Sequence, residues 1–180
     1  LYARHDDNER AMQAFRRYLE RFPDDTISRD YLFALEFNRA QDLLAAGDLS
    51  GASEHFSAAL TYQSGSPTAL YYMGYIAYSN GNPGAAVSLL GKAWPDADDS
   101  LRQSLRPLLY NCALALRRGR KLQEAASALA PVAAREDAGF DELFLAGTLD
   151  LDLRQHRAAR AALLRAVALA PDHAGVRQNL

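Results

Sequence analysis

The stretch AAGDLSGASEHFSAAL (residues 45–60) is matched further along the chain by YSNGNPGAAVSLLGKA (78–93). Small and apolar residues recur in the two stretches 34 positions apart, namely Gly47 and Gly81, Ala52 and Ala86, Phe56 and Leu90, and Ala59 and Ala93. RKLQEAASALAPVA (120–133) and RQHRAARAALLRAV (154–167) match each other at the same separation. A fixed period of this length indicates an array of stacked structural repeats.

The step from the second copy to the third is longer than the others. Ala86 and Ala125 are 39 residues apart, which places five extra residues in the acidic segment WPDADDSLRQS (94–104). Because loops tolerate insertions, we expect an acidic loop here. We also expect its DADDS portion (96–100) to cap the helix that follows.

Each copy is predicted to consist of two antiparallel helices, A and B, that approach closely where side chains are small. These positions are Ala or Gly in every copy except at Val132, and they comprise Ala40, Ala52, Ala59, Gly74, Ala86, Ala93, Ala113, Ala125, Gly147, Ala159 and Ala166. Larger apolar residues recur around them at helical spacing, as Leu109, Cys112 and Leu116 do. This spacing is typical of the buried stripe of an amphipathic helix.

Residues with strong local preferences predict where the helices begin and turn. Ser66–Pro67 and Asn82–Pro83 each predict an N-cap followed by proline at the first helical position, where a missing N–H costs nothing. Gly47 and Gly81 predict the turns from helix A to helix B.

The third copy contains two prolines inside its predicted helices. Pro107 falls early in helix A and Pro131 falls within helix B. An interior proline removes a backbone hydrogen bond and costs about 3 kcal/mol or kinks the helix. We therefore expect this copy to be distorted, with helix B ending near Ala130 or bending there.

A 34-residue helix–turn–helix with small residues at fixed places resembles the tetratricopeptide repeat, whose pattern is W-x2-L-G-x2-Y, then A-x3-F, then P. The residues that occupy motif positions are Leu70, Met73, Gly74, Ala86 and Leu90 in one copy and Leu143, Ala146, Gly147, Ala159, Leu163 and Pro171 in another. The resemblance implies an all-α fold, a right-handed α-solenoid of antiparallel helix pairs.

This pattern divides the chain into a series of predicted repeats. Residues 1–29 are helix B of a truncated preceding repeat plus a linker, and residues 174–180 are the start of a further repeat. Between them lie repeats 1 to 4, at 30–66, 67–100 with the acidic linker, 101–139 with the two prolines, and 140–173. Because both ends are partial repeats, we expect the chain to be part of a longer protein.

The tyrosines of the second copy occupy two faces of its helix A. Tyr71, Tyr75 and Tyr78 follow the i, i+4, i+7 rule on the stripe beside the buried one. The resemblance implies that this stripe lines a concave groove and contacts ligands. Tyr72 is predicted to point toward the adjoining repeat.

The place of Tyr71 is aromatic in every copy, as Phe37, Tyr71, Tyr110 and Phe144. We call the whole predicted groove the helix-A surface, and it comprises Phe37, Gln41, Tyr71, Tyr75, Tyr78, Tyr110, Arg117, Arg118, Phe144 and Thr148, with Asp152 beside them. Two interpretations stay open for its aromatic side chains: contact with a ligand, or packing against helix A of the following repeat. A clamp for a chaperone carboxylate is not expected, because the position that needs lysine is aromatic.

Composition and motifs exclude several function classes. The net charge of −2 and the pI near 6.1 give no general attraction to nucleic acid, and no apolar run reaches the roughly 18 residues that direct membrane insertion requires. The histidines are scattered, Cys112 is predicted to lie in the core, and no phosphate loop or nucleophile elbow occurs, so we expect no metal, no cofactor and no enzyme activity. The compartment stays open between cytoplasm and periplasm.

The basic run RRGRK (117–121) permits two interpretations: a solvated corner at a helix end, or a contact for phosphate or an acidic peptide.

The leading hypothesis is a non-catalytic module or scaffold that binds a peptide segment or a protein partner in the groove. The alternative is a structural spacer or assembly scaffold within a larger protein. Ala- and Arg-rich arrays of this kind resemble bacterial cell-envelope or exopolysaccharide-export components.

Overall fold

The computed structural model describes residues 2–179, with the side chains of residues 9–176, 178 and 179. This part of the chain contains α-helices and no β-strand, so the fold class is all-α, as predicted. The helices are α1 (Tyr2–Arg21), α2 (Thr26–Ala45), α3 (Leu49–Tyr62), α4 (Pro67–Ser79), α5 (Pro83–Ala93), α6 (Asp99–Arg118), α7 (Leu122–Ala133), α8 (Phe140–Asp152), α9 (His156–Leu169) and α10 (Ala174–Gln178).

The chain forms two compact units, one up to Ile76 and one from Ala77 onward, so that the boundary falls inside α4. In the first unit, α2 begins ahead of residue 30, where the first full repeat is predicted to start. It does so because the Asp25 side chain accepts a hydrogen bond from the Ser28 N–H at 2.8 Å and caps the helix. The division of the chain into repeats stays a prediction.

The core of the first unit lies where α2 and α3 pack together. Ala40 and Ala52 are fully buried at the approach of the two helices, and the Phe56 side chain fills the space beside them. Ala69 and Ile76 complete this cluster from α4. Small residues at the contact allow the backbones to approach, as the sequence predicts.

The second unit packs α6 against α7 and α8 against α9, with α7 also contacting α8. Its interior is largely aliphatic, and Leu109, Leu129 and Leu163 are among its fully buried side chains. Cys112 is buried on α6, as predicted, and burial raises the pKa of its thiol to about 12.

The turns that lead from helix A to helix B share one backbone geometry. Each has three residues, and the middle one has a positive φ: 82° at Gly47, 74° at Gly81, 58° at Arg120 and 60° at Arg154. The N–H of the following residue then bonds the carbonyl five positions back, as in Lys121 N–H to Leu116 O at 2.9 Å. This is the Schellman arrangement. Gly47 and Gly81 turn as predicted, whereas the other two turns place arginine in the left-handed region.

Residues 94–98 of the acidic segment form the predicted loop, whereas residues 99–104 of the same segment belong to a helix. Helix α6 begins at Asp99 and has 20 residues, the same number as α2, compared with 13 in α4 and 13 in α8. The Asp98 side chain accepts a hydrogen bond from the Leu101 N–H at 2.7 Å, so the predicted cap is present. The helix starts early because Leu105, one turn after Leu101, is fully buried and holds the added turn in place.

Helix α7 continues through Pro131 to Ala133, so of the two predicted outcomes the end near Ala130 is wrong and a bend stays a prediction. Two contacts hold its last turn. The Val132 side chain is fully buried, and Arg165 of α9 donates hydrogen bonds to the carbonyls of Ala133 and Arg135. A cation on the free carbonyls of a helix end is favourable. Pro107 lies in the middle of α6 rather than early in it.

Candidate functional site

In the first unit, Phe37 of the helix-A surface is part of an aromatic cluster. Its ring centroid lies 5.3 Å from Phe56, 5.4 Å from Phe33 and 5.9 Å from Tyr72. Tyr72 in turn stacks on Phe56 at 5.0 Å. The Tyr72 ring of α4 therefore packs on α2 and α3, as its phase predicts, and Phe37 serves as its packing partner.

Three further members of the surface extend outward from this cluster. The Gln41 amide lies 3.4 Å from the Tyr72 hydroxyl, a long hydrogen bond. Tyr71 is half-buried with its ring 5.3 Å from Tyr72, and burial, with the neighbouring hydroxyls of Tyr72 and Tyr75, raises the pKa of its phenol. Tyr75 keeps 42% of its surface exposed. Among the helix-A surface rings of the first unit, Tyr75 is the exposed one, since Phe37 and Tyr71 are half-buried.

In the second unit, Arg117, Thr148 and Asp152 come together across α6 and α8. Arg117 Nη1 lies 3.3 Å from Thr148 Oγ1, and Nη2 lies 3.0 Å from Asp152 Oδ2. Thr148 Oγ1 also donates to the Leu145 carbonyl at 3.0 Å. The ion pair is about 40% exposed on both sides (38% and 41%), so its free polar edges face solvent. Arg118, the next residue along α6, is exposed.

The remaining predicted residues of the second unit, Phe144, Tyr78 and Tyr110, are all half-buried. Phe144 stacks on Phe140 at 5.7 Å and contacts the His173 ring at 5.3 Å. Tyr78 is half-buried on α4. Tyr110 is half-buried beside the first turn of α8, and burial, then the negative charges of Asp141 and Glu142, raises the pKa of its phenol.

The sequence did not predict the buried charged group of the first unit. Glu36 of α2 is 1% exposed, and its carboxylate pairs with Arg16 of α1 at 2.5 Å and with His55 Nδ1 of α3 at 2.7 Å. The Tyr62 hydroxyl accepts from Arg16 Nε at 3.3 Å. The sequence does carry a signal for it: Glu36 lies four residues after Leu32 and four before Ala40, on the buried stripe of α2, and both of these neighbours are apolar.

A second ion-pair cluster, also absent from the prediction, joins α6 to the start of α8. Arg106 contacts Glu142 through Nε at 2.9 Å and through Nη2 at 2.5 Å, and it reaches Asp137 at 3.2 Å. Glu142 also accepts the Gly139 N–H at 2.8 Å. Burial opposes ionisation of Glu142, but the hydrogen bonds from Arg106 and Gly139 outweigh it and hold the pKa of Glu142 below its ordinary value.

Two structural observations bear on other classes of function. None of the helices in the described part of the chain combines the length and the apolar character of a membrane span. Among the residues that the structure describes, no three His, Cys, Asp or Glu side chains are grouped as metal ligands would be.

Sequence models of the tetratricopeptide repeat match the chain over residues 1–25 and over residues 37–101. Together they cover half of the chain. No curated protein sequence matches it.

Solved structures with a similar fold include the segment of MamA from residue 41 to its end, from Desulfovibrio magneticus RS-1. It is 23% identical with a TM-score of 0.54, and the match covers 83% of this chain and 81% of that chain. A crystal structure of MamA is 16% identical with a TM-score of 0.50, over 92% of this chain and 90% of that chain. At these identities the likeness concerns the fold, a helical-repeat solenoid.

Proposed function

The chain belongs to the tetratricopeptide repeat family, and from this premise we propose that it is a non-catalytic protein-interaction scaffold that binds a peptide segment or a protein partner on its helix-A surface. Such arrays bury apolar edges between neighbouring repeats and leave the exposed faces of successive helices free for recognition.

The observation that carries the proposal is the exposed ring of Tyr75. It lies one helical turn after Tyr71, whose own ring rests on the cluster of Tyr72 and Phe56. This packing fixes α4, so Tyr75 is presented on a rigid element with 42% of its surface exposed. A rigid tyrosine offers a large amphipathic contact area and loses little conformational entropy when a partner binds.

The polar group of the second unit supports the same proposal. Arg117 and Asp152 orient each other at 3.0 Å, and Thr148 fixes the guanidinium from its other edge. Side chains held in this way can donate and accept hydrogen bonds at a partner's backbone without first being ordered. The ten residues of the helix-A surface remain a proposed site.

The test is selection of binders from a library of displayed random peptides, followed by affinity measurement on variants. We expect the selected peptides to bind the double variant Tyr75→Ala with Tyr78→Ala at least about tenfold more weakly than the wild type, as for a central aromatic hot spot. Tyr18→Ala is the matched control, because Tyr18 is similarly exposed at 47% but lies on α1 outside the proposed surface. Equal affinities with unchanged helicity by circular dichroism would contradict the groove assignment.

A second candidate function, an assembly scaffold within a larger protein, is favoured by a different observation. Large apolar side chains at the end of α1 and the start of α2 are exposed: Tyr18 47%, Phe22 49%, Ile27 75% and Tyr31 45%. Exposed apolar patches mark sites where proteins associate. Binding lost in Tyr18→Ala and retained in the Tyr75 and Tyr78 double variant would favour this function over the first.

A further inference from the structure

A cleft of about 430 Å³ opens on the second unit between the middle of α6 and the first turn of α8. Its walls combine polar, charged and aromatic residues, namely Gln103, Arg106, Pro107, Tyr110, Gly139, Phe140, Asp141 and Glu142. Tyr110 already belongs to the helix-A surface. The other residues belong to no predicted site.

One of the two acidic side chains that line this cleft is available to a ligand. Arg106 donates hydrogen bonds to Glu142 and Asp137, and Glu142 accepts from Arg106 and from the Gly139 N–H. Asp141 is exposed, and it forms no hydrogen bond or ion pair with the residues that the structure describes. The lining residues carry one positive and two negative charges, so the cleft has a net negative charge that Asp141 presents.

Pro107 adds a hydrogen-bond acceptor. In a regular helix, the N–H of residue 107 would bond the carbonyl of Gln103, but proline has no N–H. The Gln103 carbonyl therefore lacks its i+4 donor, and both residues line the cleft. The proline that a helix interior disfavours thus leaves this carbonyl without its regular helical donor.

Two aromatic residues complete the walls. Tyr110 and Phe140 both line the cleft, and the faces of such rings attract cations. The raised pKa of the Tyr110 phenol has the negative charges of Asp141 and Glu142 among its causes, after burial. A positive charge placed here would therefore be favoured by the nearby carboxylates as well as by the rings.

From the open carboxylate, the carbonyl that lacks its helical donor and the two rings, we infer that this cleft binds a lysine or arginine side chain of the bound segment. The inference rests on the proposed function, because that function supplies the segment. The ammonium or guanidinium donors would bond Asp141 and the Gln103 carbonyl, while the aliphatic stem would lie against Tyr110 and Phe140.

The direct test uses small probes and amide chemical shifts of the isotope-labelled full chain. The probes are Nα-acetyl-lysine N-methylamide, its arginine counterpart, and its norleucine counterpart as the neutral match. We expect the two basic probes to give saturable shifts at Tyr110 and in the first turn of α8, weakening as salt rises, and the norleucine probe to give none. No saturable shift, or an equal response to norleucine, would overturn the inference.

Variants identify the groups involved. Asp141→Asn should weaken the basic probes about three- to tenfold, the size of a single exposed charge contact with its hydrogen bond. Asp96→Asn, which alters an exposed acid outside the cleft, should leave their affinity unchanged. Pro107→Ala restores the donor to the Gln103 carbonyl and should raise thermal stability while weakening the probes, a combination that damage to the fold cannot produce. Unchanged probe affinity in both Asp141→Asn and Pro107→Ala would overturn the inference.

The two proposals fail separately. If basic probes bind as expected but peptide selection yields no binder, the proposed function fails and the cleft remains a cation site. If selected peptides lack lysine and arginine and bind Asp141→Asn as well as the wild type, the inference fails and the proposed function stands.

Discussion

Replacing Gly147 by alanine tests how closely α8 and α9 approach. A Cβ built at Gly147 would lie 2.7 Å from Leu163 Cγ, 2.9 Å from Leu163 Cδ2 and 3.3 Å from the carbonyl oxygen of Ala159. Carbon atoms in favourable contact are about 3.5–4.0 Å apart, so either α9 or the buried Leu163 side chain has to move. The substitution is therefore an overpacking of the helix contact.

The expected magnitude combines two opposing effects. Alanine in place of glycine favours a helix by about 1 kcal/mol, and overpacking a well-packed site costs about 1–3 kcal/mol. The cost at Gly147 should fall at the upper end, because the contacted atoms are a fully buried branch point and a backbone oxygen rather than a flexible tip. We expect Gly147→Ala to lower the free energy of unfolding by about 1–2 kcal/mol.

Gly91→Ala is the matched control, because a Cβ at Gly91 would have no atom within 4 Å and the residue also lies inside a helix. It should raise the free energy of unfolding by about 0.5–1 kcal/mol through helix propensity alone. Urea titrations followed by circular dichroism at 222 nm measure both values. Leu163→Val should cost less in the Gly147→Ala background than in the wild type, because it makes room for the new methyl group. Stabilisation of equal size by both alanines would refute the close approach.

Three further predictions concern a buried charge, a turn and a thiol. Glu36→Gln should destabilise the chain by about 2 kcal/mol, because it removes the buried negative charge and replaces one of the two accepting oxygens by an NH2 donor. Glu54→Gln at an exposed position should change little, and thermal melts compare the two variants. Arg120→Gly should raise the free energy of unfolding by about 0.5 kcal/mol in a urea titration. Glycine adopts the left-handed region without the steric cost that arginine has there, and the greater entropy of glycine in the unfolded chain offsets part of this gain. A lower free energy of unfolding would contradict the strained turn. Burial raises the pKa of the Cys112 thiol to about 12, whereas a thiol in the unfolded chain has a pKa near 8.5. The contribution of this thiol to folding stability is therefore complete below about pH 8.5 and declines as the pH rises toward 12. Iodoacetamide at pH 9 should alkylate Cys112 slowly in the fold and rapidly in urea, as mass spectrometry would show, and equal rates would contradict its burial.

Features that depend on neighbouring residues were predictable from the sequence. Asn82 caps α5 by accepting the Ala85 N–H at 3.1 Å, and Gly81 turns the chain because few other residues adopt a positive φ without cost. Helical phase was equally informative for Tyr72, which packs where its angle on α4 places it. In each case the decisive interaction lies within one or two helical turns.

Features that depend on distant residues were not predictable in the same way. Arg120 has no intrinsic preference for the left-handed region, and the turn that imposes it is closed by hydrogen bonds to α6 and by the packing of two helices. The early start of α6 was signalled locally by Asp98, but burial of Leu105 against other helices decided it. At the candidate site, equivalent repeat positions placed Arg117 and Thr148 on one predicted surface. The ion pair of Arg106 with Glu142 has no such repeat signal, because it depends on how α6 meets the start of α8.

The buried carboxylate of Glu36 limits where the chain can be shortened. A fragment that begins at Thr26 keeps α2 and α3 but discards Arg16, and so leaves His55 as the partner of the buried Glu36 side chain. Because the Arg16 side chain is 48% exposed, losing the pair costs less than the roughly 3–5 kcal/mol of a fully buried ion pair. The smallest fragment of the first unit that keeps both partners of Glu36 therefore starts ahead of Arg16. A boundary placed by sequence periodicity at residue 30 would separate Arg16 from the buried carboxylate that it contacts.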